Sequence, residues 1–228
     1  MRREDLISKD AKPGDIAADR ARYDDWRERR RRAQAAGGIA SIKISTATEM
    51  TKDAADRHDP VPSILVEDAA QLSAPRPSGK RFGTLVHALL ATMPLDAGPV
   101  EVTELAALYA KLFAAPDAER DAAAAIGAAL VKHSRWRAAK EAAAAGRRVW
   151  RETPVSLSIK TEPGETPTVV DGQVDLAYET DDGWVVVDFK TDVEIVSAED
   201  AYKQQVALYA EAVAKATGRP ARGVLLRV

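Results

Sequence analysis

Residues 171–191 read DGQVDLAYETDDGWVVVDFKT, and the fold turns on them. Two runs rich in β-branched and aromatic residues flank Asp181-Asp182-Gly183, a strong signal for a tight hairpin. Strands are expected over Thr168 to Glu179 and Trp184 to Lys190. Side chains alternate faces along a strand, so Asp188 and Lys190 should share one face and Val187 and Phe189 the other. A loop centred on Asp181-Asp182 places Asp175 opposite Asp188. A loop centred on Asp182-Gly183 places it opposite Lys190. Both registers leave Asp175, Asp188 and Lys190 on one surface, because a shift of two preserves the face. The unbroken Val185-Val186-Val187 argues for a buried strand rather than a surface hairpin carrying a solvated ion pair.

Two carboxylates facing each other across a ladder repel. A hard divalent cation removes that cost, and Mg²⁺ takes oxygen ligands while keeping several waters. A neighbouring lysine ammonium can orient or help deprotonate an attacking water, or stabilise charge on a phosphorane.

Outward from the hairpin, Arg148 to Lys160 is strand-like. Glu199 to Thr217 forms an amphipathic helix closed by Gly218, and Ala221 to Val228 is a last apolar strand. Further upstream, Phe82 to Leu95 is helical and carries Leu85, Val86, Leu89 and Leu90. Alanine-rich helices follow from Glu101 to Ala145, with breaks near Pro116 and Ser134. Residues 53–80 read as irregular connection. Ile39 to Ser45 alternates like a strand, and Thr46-Ala47-Thr48-Glu49 has capping-box spacing, so a helix should begin there. The expected order is helices, three strands, helix, strand: a mixed sheet in an α/β sandwich, without internal repeats.

The first 37 residues read as a polar helical arm, and Arg27 to Arg32 is a strongly basic run. It reads as a solvated linker, a phosphate contact or a docking element. The whole chain of 228 residues is 46% hydrophobic, enough for a core, with 33 basic and 35 acidic residues for a net charge of −2. Affinity for polyanions must therefore be local. No cysteine is present, which excludes disulfides, thiolate nucleophiles, zinc-thiolate sites and iron–sulfur clusters. No apolar run reaches the ~18–20 residues that span a bilayer, and the start Met-Arg-Arg-Glu-Asp lacks a signal-peptide core. A cytoplasmic protein without membrane partners is expected.

Several short motifs in order resemble the RecB-like branch of the PD-(D/E)xK nucleases, most closely the C-terminal nuclease domain of AddA-type and UvrD-like helicase–nucleases. These are Ser45-Thr46-Ala47-Thr48-Glu49, Gly83-Thr84-Leu85-Val86-His87, Glu152-Thr153-Pro154, Gly172-Gln173-Val174-Asp175-Leu176 and Asp188-Phe189-Lys190-Thr191, followed by Tyr202 and Gln205-Val206-Ala207-Leu208-Tyr209. The resemblance covers about residues 38–228. It implies a restriction-endonuclease-like core of αβββαβ order with a mixed central sheet and an inserted helical layer at about 100–145.

By position, the resemblance makes His87, Asp175 and Asp188 metal ligands, with the Phe189 carbonyl a fourth and Lys190 the catalytic lysine. Gln205 and Tyr209, joined by Tyr202, would line the site and contact DNA. Glu152 would be a supporting or structural carboxylate behind the ligands. His58 and His133 read as ordinary surface residues. Related branches carry four cysteines for an iron–sulfur cluster, absent here. Ser78-Gly79-Lys80-Arg81 lacks the first glycine and the hydroxyl of an ATP-binding phosphate loop, so no ATP site is expected and a helicase motor would be a separate or fused partner. The chain then reads as the nuclease portion alone. The implied activity is a DNA nuclease using one or two Mg²⁺ or Mn²⁺ ions, an exonuclease on DNA ends or single strands in double-strand-break repair. The alternatives are a catalytically silent DNA-binding module of a helicase complex and a structure-selective endonuclease.

Overall fold

The computed structural model describes residues 13–51, 63–69, 77–159, 166–191 and 195–228. The elements are α1 (Pro13–Gly37), β1 (Lys43–Thr46), α2 (described over residues 47–51), β2 (Leu65–Asp68), α3 (Lys80–Thr92), α4 (Pro99–Leu112), α5 (Asp117–Lys132), α6 (Ser134–Ala144), β3 (Val149–Ile159), β4 (Thr168–Thr180), β5 (Gly183–Lys190), α7 (Ile195–Thr217) and β6 (Ala221–Arg227). The mixed α/β architecture is the expected one.

Six strands form one sheet in the order β1-β4-β5-β6-β2, with β3 paired to β4. Pairs β3/β4 and β4/β5 are antiparallel; β1/β4, β5/β6 and β2/β6 are parallel. Strand β2 corrects the expectation of irregular chain over 53–80. Its side chains are only half-buried or exposed at an edge, so it lacks the apolar alternation by which a strand is recognised.

Helices α3 to α6 pack on one face of the sheet, where Phe82, Leu89, Ile126, Leu130 and Trp136 meet Leu176, Tyr178, Val185, Val187 and Phe189. Helix α7 covers the other, where Tyr209 and Val213 meet Val170, Val174, Ala177, Trp184 and Val186. Burial on both faces explains why β5 is nearly all apolar. Helix α1 is exposed along its described side chains apart from the half-buried Glu28. Much of its basic run is balanced within the helix by Arg27–Asp24, Arg29–Asp25, Arg31–Glu28 and Arg32–Glu28 pairs. These i,i+3 and i,i+4 pairs let a helix with so thin an apolar stripe stand in solvent.

The capping box forms as its spacing requires: Thr46 N–H donates to Glu49 at 2.9 Å, and Glu49 N–H donates to Thr46 Oγ1 at 3.2 Å. His133 departs from its reading as a surface residue. Its side chain is 13% exposed, lies 3.8 Å from Glu67 and accepts the Arg135 N–H at the start of α6. His58 lies outside the described residues.

The β4–β5 turn holds Asp181 and Asp182, with Thr180 paired to Gly183. Gly183 has φ +146°, and a Cβ there would lie 2.2 Å from the Pro220 carbonyl oxygen. Neither the dihedral nor the backbone contact tolerates a side chain. Gly183→Ala is expected to destabilise the fold by about 2–4 kcal/mol, read as a lowered urea midpoint with an unchanged m-value.

Candidate active site

The hairpin takes the register centred on Asp181-Asp182: Leu176 pairs with Val187, which directs Asp175 toward Asp188. The ladder stops there. Over residues 168–171, β1 rather than β5 pairs with that side of β4, so β4 and β5 part around residues 172–175. The Asp175 carboxylate occupies the parting and accepts the Phe189 N–H at 2.7 Å. A side chain has replaced a carbonyl in satisfying a buried amide.

Simple alternation carries Asp188 and Lys190 to one face, as expected, whereas Asp175 sits at the step where β4 changes parity. On β5, Trp184 and Val186 face α7, so Asp188 and Lys190 follow them; Val187 and Phe189 face the helical layer. On β4 the parity switches: Val170 and Val174 face α7, then Leu176 and Tyr178 face the helical layer. Strand β3 switches at the same level. Trp150 packs with Val155 and Ile159 on the α7 side although their numbers differ in parity. The cause is Glu152, whose φ of +44° is left-handed for a residue with a Cβ. The paired positions on either side, Arg151↔Leu176 and Thr153↔Val174, keep register. Only the Glu152–Asp175 step drops out of the ladder. Such backbone costs about 1–2 kcal/mol.

His87 arrives from α3 in the helical layer. Gly83, one turn earlier, permits this: a Cβ there would sit 3.2 Å from Thr191 Oγ1 just past β5. The glycine lets α3 close on the end of the strand and carries His87 Nδ1 to 3.5 Å from Asp175 Oδ1. One ligand atom each from His87, Glu152 and Asp175 falls within a mutual 4.8 Å. Glu152 therefore stands in the cluster rather than behind it. A cavity of about 360 Å³ lined by Thr84, His87, Ala88, Ala91 and Glu152 opens beside them.

Asp188 lies against the other side of the parting, 3% exposed, with its Oδ2 2.8 Å from Lys190 Nζ. Burial pushes the Asp188 carboxyl up to about 6, with Lys190 opposing and Asp175 adding to the rise. Burial presses the Lys190 ammonium down, but the Asp188 carboxylate outweighs it and holds the lysine charged. For His87 burial again acts downward, and the Asp175 carboxylate overcomes it to a net rise. Glu152 is raised by burial and then by Asp175. Asp175 thus disfavours the ionised forms of Glu152 and Asp188, while Lys190 and His87 oppose it at Asp188.

On the α7 side, Lys190 Nζ sits 4.9 Å from the Tyr202 ring centre. Gln205 Nε2 donates to Tyr209 Oη at 2.8 Å. The Tyr209 ring lies on Gly172, where a Cβ would approach Cε1 to 2.2 Å, so glycine is required at 172. Gln173, unremarked in the sequence reading, donates to Glu152 Oε2 at 2.6 Å. Its position two residues before Asp175 on one strand was the signal available.

The family model of the PD-(D/E)XK nuclease superfamily matches residues 65–228, which include the hairpin, α3 and α7. The chain belongs to the PD-(D/E)XK nuclease superfamily. PD-(D/E)XK proteins are generally nucleases, phosphodiesterases that use divalent metals and act on DNA. No curated protein matches the chain. No described helix of this PD-(D/E)XK chain is long and apolar enough to cross a membrane.

Proposed function

We propose that the chain is a RecB-like, AddA-related nuclease domain that hydrolyses DNA from ends or single strands, working with a helicase motor in recombinational double-strand-break repair. The observation that carries the hydrolytic reading is the mutual approach of His87, Glu152 and Asp175 beside the buried Asp188–Lys190 pair. The RecB-like placement rests on the order of motifs, the Gln205/Tyr209 helix among them.

The donor chemistry fits a hard cation: carboxylate oxygens with one imidazole suit Mg²⁺ or Mn²⁺. His87, Glu152, Asp175 and Asp188 would hold it, with the Phe189 carbonyl completing the set. A bound ion supplies a polarised phosphate and a water of lowered pKa. Lys190, kept charged by Asp188, orients the attacking water and offsets negative charge building on the phosphate oxygens. Gln205, Tyr209 and Tyr202 offer amide and aromatic surfaces on which a strand can lie.

Calorimetric titration with Mn²⁺ between about pH 5 and about pH 8 tests the site, because its ligands must lose their protons to bind the ion. His87, Asp188 and Glu152 all have raised proton affinity, and protons compete with the cation. Affinity should rise with pH and level off only above the raised His87 value. No binding at any pH would reject the reading. Degradation of linear single strands with closed circles spared supports an exonuclease; equal cleavage of both points to an endonuclease.

A further inference from the structure

Gln173 stands at the junction of the cation cluster and the α7 helix. Its backbone amide lies against the Tyr209 hydroxyl that Gln205 also contacts. The preceding residue, Gly172, carries the Tyr209 ring. Its side-chain amide donates to Glu152 Oε2 at 2.6 Å and reaches the Glu152 carbonyl at 3.5 Å. Glu152 is the member of the cluster with left-handed backbone. Turned out of its ladder step, it presents its carboxylate to Gln173 on the neighbouring strand.

We propose that Gln173 is the positioning residue for Glu152, aiming one carboxylate oxygen at the cation by holding the other, with Tyr209 fixing the stretch of β4 from which it reaches. This rests on the cation site proposed above and adds how one of its ligands is oriented. The chemistry suits the task. A neutral amide donor takes one oxygen of a carboxylate without adding positive charge that would repel Mg²⁺ or Mn²⁺, as a lysine or arginine would. Hydrogen bonds of this kind to a ligand commonly change metal affinity about 10–100-fold. Gln173 is exposed, so replacing it leaves the core untouched.

The test is a double-variant cycle read by Mn²⁺ calorimetry on the full chain. Gln173→Met keeps the length and removes the donor; it should weaken Mn²⁺ binding about 10-fold. In a Glu152→Gln background the same change should add nothing. Affinity for a single-stranded oligonucleotide in EDTA should stay within about twofold of the parent, because a residue acting only through Glu152 leaves strand binding alone. Additive losses in the double variant, or unchanged Mn²⁺ affinity in Gln173→Met, overturn the assignment. If Glu152→Gln binds Mn²⁺ like the parent while Asp175→Asn does not, the inference falls and the cation site stands. If the parent binds none, both fall.

Discussion

Lys190→Met should lose about 10³-fold in the rate of Mg²⁺-dependent DNA cleavage while still binding Mn²⁺. The lysine contributes charge to the reacting phosphate and is not a ligand, so chemistry and cation binding should separate. The side chain is nearly buried, and methionine replaces its aliphatic stem without the ammonium, which leaves packing close to the parent. Asp188 changes most. Its counter-charge sits 2.8 Å away in the parent; without it a buried carboxylate is left unpaired, at a cost of about 3 kcal/mol or more at pH 8. The sign of the pH effect follows. Burial already raises the proton affinity of Asp188, and loss of Lys190 raises it further. The folded variant therefore holds a proton that the unfolded chain releases, and its stability falls as pH rises through the folded value. Denaturation of the metal-free variant should show a deficit that is small at pH 5 and full at pH 8. Cleavage at the parent rate would remove Lys190 from the mechanism.

Asp175→Asn should abolish both functions: Mn²⁺ affinity down at least about 100-fold and cleavage down about 10³-fold or more. Asp175 is the hub of the site. It accepts the Phe189 amide, faces His87 and belongs to the three-residue cluster. Asparagine preserves the shape, and its carbonyl can still accept the Phe189 N–H. The charge disappears, and the oxygen facing His87 becomes an NH₂ that neither accepts a hydrogen bond nor holds a cation. Asp175 raises the proton affinities of Glu152 and Asp188, but also those of His87 and Lys190, so its neutralisation removes repulsion among the acids and attraction to the cations together. The metal-free variant should therefore melt close to the parent temperature while inactive. Thermal melting with and without Mn²⁺ checks this: the parent should gain stability with the ion and Asp175→Asn should not.

Parts of the candidate site are legible in the sequence. Asp175, Asp188 and Lys190 declared themselves through the hairpin, since acids and a lysine two residues apart on an apolar strand have few structural reasons to exist. His87 was legible through Gly83 four residues before it. Glu152 was legible as a motif residue but not as a cluster member. A left-handed backbone at a glutamate leaves no trace in hydrophobic periodicity, and expectation placed it behind the ligands. Strand β2 escaped for a related reason: its pairing with β6 is made by backbone groups at an edge, and edge strands need little apolar pattern.

By itself the sequence determined the element order, the hairpin, its two possible registers and the residue types able to hold a hard ion, because periodicity and turn chemistry are local properties. Tertiary structure alone decided that β4 and β5 separate below Leu176 and that Glu152 and Asp175 switch parity together. It also decided that Glu152 and Asp175 meet His87 of α3 at that step. Those outcomes depend on where β1 takes over the free side of β4 and on how closely α3 can approach Thr191. Contacts between segments far apart in the chain carry no periodic signal, so they become visible only once the layers are packed.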